Sequence, residues 1–297
     1  MFKFVSYLFL CVFSLGLQAQ DIPPSDVQVV NATLVARANA NDGFGLPAGS
    51  ILGIADVKVN NRGDVAFDID VIGGESTSGV WFSATGTQGR IVYRSPVEGR
   101  LISDPSLNNN GDLVFSQFDF GVTDGVFKFD SNTRATTMVI RPEQNQAFSF
   151  SSINDIGTVV TRVVDANGDR SFRYVNGSQS RTIAREAVKE PNGTTLSYLF
   201  RPVLNNSGFV AAKVRRGERD QTDESQPDTI RLWKPDGSFE VIAVDIHAGP
   251  NSLFLGFSNS VGISDAKHVV FTATISGDKK AIFLFGEGKV KAVAIEG

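Results

Sequence analysis

A nine-residue phrase recurs down this chain and limits what it can fold into. It reads VNNRGDVAF from Val59, LNNNGDLVF from Leu107, INDIGTVVT from Ile153, LNNSGFVAA from Leu204 and, degraded, ISDAKHVVF from Ile263. Each copy is an aliphatic residue, a polar turn and an apolar run. The turn starts at Asn60, Asn108, Asn154, Asn205 or Ser264, whose short side chains can bond the backbone two residues on. It closes at Gly63, Gly111, Gly157 or Gly208, as a positive φ in a tight hairpin requires. The fifth copy has Lys267 there. Either a non-glycine residue occupies the left-handed region, at about 1 kcal/mol or more, or that turn changes type.

A second hairpin follows each of these, in GVWFSATGTQGRIVYR from Gly79, GVFKFDSNTRATTMVIR from Gly125, SFRYVNGSQSRTIAR from Ser171, IRLWKPDGSFEVIAVD from Ile230 and AIFLFGEGKVKAVA from Ala281. Its turns include Asn176-Gly177, Pro235-Asp236-Gly237 and Gly286-Glu287-Gly288, all strong hairpin signals. Each period therefore holds two hairpins, or four strands. The first turn residues, at 60, 108, 154, 205 and 264, fall 48, 46, 51 and 59 residues apart. That is near the blade period of roughly 40 to 50 residues and unlike any helical repeat. The predicted class is all-β, a β-propeller of four-stranded antiparallel blades.

Val27 to Arg37 looks like another second hairpin, because Thr33 to Arg37 aligns with Arg90 to Arg94, Thr137 to Arg141 and Arg181 to Arg185. Six second hairpins then stand against five first ones. Five full blades with an N-terminal overlap is the preferred closure; six blades with one incomplete is the alternative. Residues 1–20 read as a secretory signal peptide, one lysine and a long apolar core ending near Ala19, which leaves 21–297 as a single propeller domain. The expected location is secreted or periplasmic. Removing that segment removes Cys11, the only cysteine, so the exported chain has no disulfide. It also removes Lys3, so 27 basic and 32 acidic residues remain, a balance of about −5. Nucleic acid is disfavoured as a partner, no membrane span is expected, and a monomer is.

The LNxxGxVaF turn, the GVWxF or GVFxF strand and the V-x-x-R strand resemble the tandem repeats of uncharacterised exported bacterial β-propeller proteins. The resemblance covers nearly all of the chain after residue 20 and implies an exported propeller, with no catalytic motif to carry over. Lys267 departs from it.

Catalytic and cofactor motifs are missing. His247 and His268 are the only histidines, too few for a multi-histidine metal centre, and His268 is expected inside a strand. No Gly-x-Ser-x-Gly elbow, Walker loop or dinucleotide turn occurs. Asp165, Asn167 and Asp169 place oxygens at alternating positions as the start of a calcium loop does, but the downstream bidentate glutamate is lacking, and the run is also an ordinary hairpin turn. Arg37, Arg94, Arg141 and Arg185 could ring an anionic ligand or pair locally at outer strands, the latter being preferred. Trp81, Phe127, Phe172, Trp233 and Phe283 are expected to fill space between sheets rather than contact a sugar.

The longest connections, 39–50, 73–78, 118–124, 186–197, 217–228 and 247–258, fall on one face, with 217–228 a charged insertion. Long loops on a rigid scaffold are where binding is usually placed. The expected function is a non-enzymatic binding or scaffold module engaging a protein or glycan there. The alternatives are a polysaccharide hydrolase or lyase using carboxylates with Arg201 or His247, and envelope assembly by strand addition at a blade edge.

Overall fold

The computed structural model describes residues 34–37, 44–53, 57–119, 122–143, 145–190, 193–219 and 221–297. The signal-peptide and cleavage-site readings, and most of the N-terminal hairpin, lie outside these residues. Residues 34–37, its described end, form no strand.

All regular structure among the described residues is β, in five antiparallel sheets. Blade 1 holds β1 (Ile51–Leu52), β2 (Lys58–Val59), β3 (Val65–Val71), β4 (Gly79–Ser83) and β5 (Arg90–Arg94). Blade 2 holds β6 (Leu101–Ile102), β7 (Ser106–Leu107), β8 (Leu113–Asp119), β9 (Val122–Asp130) and β10 (Ala135–Ile140). Blade 3 holds β11 (Ala147–Ile153), β12 (Val159–Val164), β13 (Arg170–Asn176) and β14 (Gln179–Arg185). Blade 4 holds β15 (Leu196–Leu199), β16 (Val203–Leu204), β17 (Val210–Arg216), β18 (Asp228–Trp233) and β19 (Phe239–Val244). Blade 5 holds β20 (Phe254–Ile263), β21 (Val269–Ile275), β22 (Lys279–Gly286) and β23 (Lys289–Ile295). The fold is the expected propeller. In blades 1, 2 and 4 the innermost strand is two short pieces pairing with the same neighbour.

The repeated turn forms as the sequence requires. Gly63, Gly111, Gly157 and Gly208 have φ between 79° and 86°, and Lys267 keeps the left-handed backbone at 64° rather than changing the turn. The asparagine that opens each turn has a second task, joining one blade to the next. Asn154 Oδ1 accepts from Thr158 N at 2.9 Å, while its Nδ2 donates to Asn205 O in blade 4 at 3.1 Å. The same inter-blade bond runs from Asn60 to Asn108 O, from Asn108 to Asn154 O and from Asn205 to Ser264 O. The following residue adds a second rung. Asn61 N donates to Asn109, Asn109 N to Asp155, Asp155 N to Asn206 and Asn206 N to Asp265, each to a side-chain oxygen.

Apolar packing runs between blades, face against face. Ala66, Val80 and Phe82 of blade 1 meet Leu113, Phe115 and Phe129 of blade 2. Val114 and Val126 meet Phe148, Val159 and Val163 of blade 3, and Val160 and Phe172 meet Val210, Ala212 and Trp233 of blade 4. Ala211, Ile230 and Leu232 meet Phe271 and Phe283 of blade 5. Of the predicted inter-sheet aromatics, Phe172, Trp233 and Phe283 are buried in these layers and Phe127 is half-buried in one, whereas Trp81 is buried against Leu46 of the segment before β1. They are not one aligned series, however. Trp81, Phe127 and Phe283 pair with Phe67, Phe115 and Phe271, whereas Phe172 pairs with Arg162 and Trp233 with Val210. The odd offset at Phe172 places its ring on the opposite face, while Trp233 is displaced by two residues on the same face, which letter spacing alone does not reveal.

Candidate functional site

The inner strands are irregular at one recurring place. Pro105 and Pro202 lack an N–H and sit where the inner strands of blades 2 and 4 break. In blade 3 the strand instead bulges between Ser149 and Ser151, with Phe150 at φ 52°. Asp104, Phe150 and Arg201 occupy this place, each four residues before its turn asparagine. Asp104 Oδ2 and Arg201 Nη1 pair at 2.7 Å, joining blade 2 to blade 4. The Phe150 ring lies 5.4 Å from the Arg201 guanidinium and 4.6 Å from that of Arg162. Arg162 is buried, bonded to Leu199 O and Ser149 Oγ at 2.9 Å each, and burial pulls its guanidinium below the ordinary value. Tyr198 stacks under Arg170 at 4.0 Å, and Arg170 pairs with Glu186 at 3.2 Å. Burial pushes the Glu186 carboxyl up, against the N–H bonds it accepts from Arg170 and Leu199.

In blade 4 the second strand carries two cations on the face that meets blade 5. Lys213 Nζ lies 2.8 Å from Asp228 Oδ2 and also bonds Phe257 O at 3.0 Å and Asn259 Oδ1 at 3.2 Å. Arg215 grips Asp228 with both arms, at 2.8 and 3.0 Å. All three side chains are buried, and the Phe200 ring faces both cations, 4.2 Å from Lys213 and 5.5 Å from Arg215. A bond to Asp228 holds the Arg215 guanidinium above its ordinary value. Asp245 is likewise buried and satisfied by the N–H groups of Asp228, His247 and Ala248.

Above this group opens a cavity of about 720 Å³ between blades 4 and 5. Its walls combine the aromatics Tyr198, Phe200 and Phe257 with Thr222, Ser258, Asn259 and Thr274. Its lysines and arginine, Lys213, Arg215 and Lys280, are matched by Glu224, Asp228 and Asp245. The volume is that of a small-ligand site, and the walls are polar and aromatic with no excess of fixed charge. The cavity draws on the 217–228 and 247–258 connections, so it lies on the face expected for binding.

Blade 1 contributes a contrasting group. Asp68 is buried, its Oδ1 has no partner among the described residues, and the Gly53 backbone leaves no room for a Cβ beside its Oδ2. Burial, with the negative charges of Asp104 and Asp70 nearby, pushes its carboxyl from 3.8 up to about 6.

The residues picked out from sequence fall in various places. Arg201 is held by Asp104, while exposed His247 stands on the cavity rim, so the two do not line one site. His268 is not inside a strand: it sits in the turn before β21, where its N–H bonds Ser264 Oγ. Its apolar successors VVF made the strand look one residue longer. Asp165 caps its turn, accepting from Asn167 N and Asp169 N, and pairs with Arg185 at 2.9 Å. Asp169 pairs with Arg219 at 3.1 Å. Arg94 likewise bonds locally, to Glu75 and Thr77, as the local-pairing reading expects. Among the described residues no group of three or more His, Cys, Asp or Glu side chains is placed to hold a metal ion. No helix among them is long and apolar enough to cross a membrane. The buried Lys213, Arg215 and Asp228 were missed from sequence. Their signal was VAAKVRR, where cations interrupt an apolar second strand at alternating positions.

Residues 31–297 match the DUF7453 family, described as a family of unknown function. No curated protein matches the chain at the sequence level. Among solved structures the chain is similar to puromycin hydrolase, with 12% identity and a TM-score of 0.54, over 84% of this chain and 40% of that one. A puromycin-hydrolyzing peptidase of Mycobacterium tuberculosis gives 11% and 0.52, over 83% and 38%. An oligogalacturonate lyase in complex with manganese gives 11% and 0.50, over 84% and 75%. The chain thus spans about two fifths of the length of the first two of these proteins. At such identities the likeness is one of fold.

Proposed function

We propose, given that the chain belongs to the DUF7453 family and that this family has no assigned function, that it is an exported, non-enzymatic binding propeller that takes a glycan in the cavity between blades 4 and 5. The observation that carries this reading is the cavity wall. Aromatic faces at Tyr198, Phe200 and Phe257 suit the C–H faces of a sugar ring, and Asn259, Ser258 and Thr274 suit its hydroxyls. Lys213 and Arg215 are already engaged by Asp228, and the fixed charges match in number, which favours an uncharged saccharide over a polyanion. Export rests on the N-terminal segment.

The test is a glycan array followed by calorimetry with the purified protein. Neutral oligosaccharides are expected to bind, and Phe200→Ala to weaken binding by about tenfold, the equivalent of about 1.4 kcal/mol. Binding confined to uronate-rich or sulfated chains, or unaffected by Phe200→Ala and Asn259→Ala, would refute it.

A polysaccharide hydrolase or lyase is the second reading, and Asp68 favours it. A buried carboxyl pushed up to about 6, with Asp104 nearby, is the kind of group that acid–base chemistry uses. Under this reading polysaccharide cleavage would disappear in both Asp68→Asn and Asp104→Asn, and no cleavage by the parent protein would remove it.

A further inference from the structure

The end of the propeller that carries the tight turns, opposite the long loops, holds a second cavity of about 390 Å³ between blades 1 and 2. Its floor is the buried pair Phe82 and Phe129, whose ring centroids lie 5.7 Å apart. Three arginines from three elements stand around it: Arg62 on the first turn of blade 1, Arg90 at the start of β5 and Arg134 at the end of the turn between β9 and β10. No aspartate or glutamate is among the described residues that line it.

The three arginines are not equivalent. Arg62 is neutralised by the buried Asp64, whose Oδ2 accepts from its Nη2 at 2.6 Å and from its Nε at 3.0 Å. The side chains of Arg90 and Arg134 have no hydrogen bond or ion pair among the described residues. In a chain with more acids than bases this is unusual, and Arg94, Arg100, Arg170, Arg185 and Arg219 all pair with carboxylates. The acids of the adjoining turn are engaged elsewhere. Asp112 lies 3.0 Å from Lys128 Nζ and accepts from Ser131 N, while Asp130 accepts from Asn132 N and Thr133 N of its own turn. Arg90 and Arg134 therefore leave two uncompensated positive charges at the cavity.

Arg134 also occupies a position that suits glycine better. The outer turns of blades 1, 3, 4 and 5 place Gly86, Gly177, Gly237 and Gly288 in the left-handed region, and blade 2 places Arg134 there, at φ 58°. A side chain in that region costs free energy that glycine avoids. The guanidinium is thus kept at the cavity against the preference of the backbone.

We propose that this cavity binds the phosphate group of a small phosphorylated molecule, held between the guanidinium groups of Arg90 and Arg134. Guanidinium forks bond phosphate oxygens in pairs. A phosphate monoester carries nearly two negative charges at pH 7 and so matches both arginines, whereas a carboxylate carries one. The Asn132 amide lines the same cavity and can bond the rest of the molecule, and the volume is that of a small-ligand site. No lining residue is shared with the cavity between blades 4 and 5, so the site is independent of the glycan reading.

Calorimetry of the full chain with glycerol 3-phosphate, glycerate and glycerol tests this. Glycerol 3-phosphate is expected to bind, glycerate about tenfold more weakly for want of one charge-assisted contact, and glycerol not at all. Arg134→Gly separates binding from folding, because it should leave Tm unchanged or higher and yet weaken glycerol 3-phosphate by about tenfold. Arg90→Gln should weaken it to a similar extent, and Phe200→Ala, in the other cavity, should not. No binding by the parent protein, affinity retained in both arginine variants, an equal fall in Phe200→Ala, or a preference for glycerate would overturn the proposal. Sedimentation with phosphatidylglycerol vesicles without binding of glycerol 3-phosphate would overturn it too, by assigning the arginines to a lipid surface.

Discussion

Replacing Asn154 by alanine should unzip the joint between blades 3 and 4. The side chain is 3% exposed and makes two bonds, accepting from Thr158 N at 2.9 Å and donating to Asn205 O at 3.1 Å. Thr158 is fully buried, so its N–H would be left without a partner, at about 1 to 3 kcal/mol. Asn205 O retains the turn bond from Gly208 N, so its loss is smaller, about 0.5 to 1.5 kcal/mol. The sum, about 2 to 4 kcal/mol, corresponds to a fall in Tm of roughly 5 to 10 °C for a chain of this size. Asn154→Asp keeps the acceptor but points an oxygen at the Asn205 carbonyl. It should cost at least as much at neutral pH and recover partly in acid, where the carboxyl can donate again. Ser264→Ala, in the degraded fifth copy, removes only an exposed bond to His268 N and should cost under about 1 kcal/mol. Thermal and urea unfolding of the three variants measure this. Equal losses at 154 and 264, or a loss below 1 kcal/mol at 154, would refute the inter-blade role.

Asp68 makes stability depend on pH in an unusual direction. Folding raises its pKa from 3.8 to about 6, so the folded protein holds the proton more tightly than the unfolded chain. This group's contribution therefore falls as pH climbs from about 4 to 6, by at most about 3 kcal/mol. Asp68→Asn should remove that slope and stabilise the protein above pH 6; urea midpoints that fall equally across this range in both proteins would contradict it. Lys213→Met should cost about 3 kcal/mol by urea unfolding, because Asp228 loses one of two cations and Asn259 Oδ1 a donor, and Asp228→Asn added to it should not restore the loss. An unchanged midpoint would mean the buried trio is not structurally coupled. Millimolar calcium should leave Tm unchanged, since Asp165 and Asp169 are paired with Arg185 and Arg219; a rise that Asp165→Asn abolishes would show that the ion displaces those arginines.

The strand-turn-strand period was readable because it depends on neighbours in the chain. Asparagine and glycine at the ends of the repeated turn, and alternation in the runs after it, are set by bonds spanning a few residues. Even the strained Lys267 was foreseeable as one of two outcomes, and the backbone took the left-handed one. The inter-blade role of the same asparagines was half-legible: an amide or carboxylate follows at 61, 109, 155, 206 and 265, and that recurrence is more than one turn needs.

The candidate site lay beyond such reasoning. Asp104 meets Arg201 across 97 positions, Lys213 meets Phe257 across 44, and Phe172 turns to the face opposite Trp81's through a register offset that spacing does not encode. What the sequence by itself determined is the blade, whose bonds are local. Which side chains converge, and which become buried cations rather than solvated ones, was decided only when five sheets packed face to face. Burial and pairing at long range are properties of that packing and not of any single repeat.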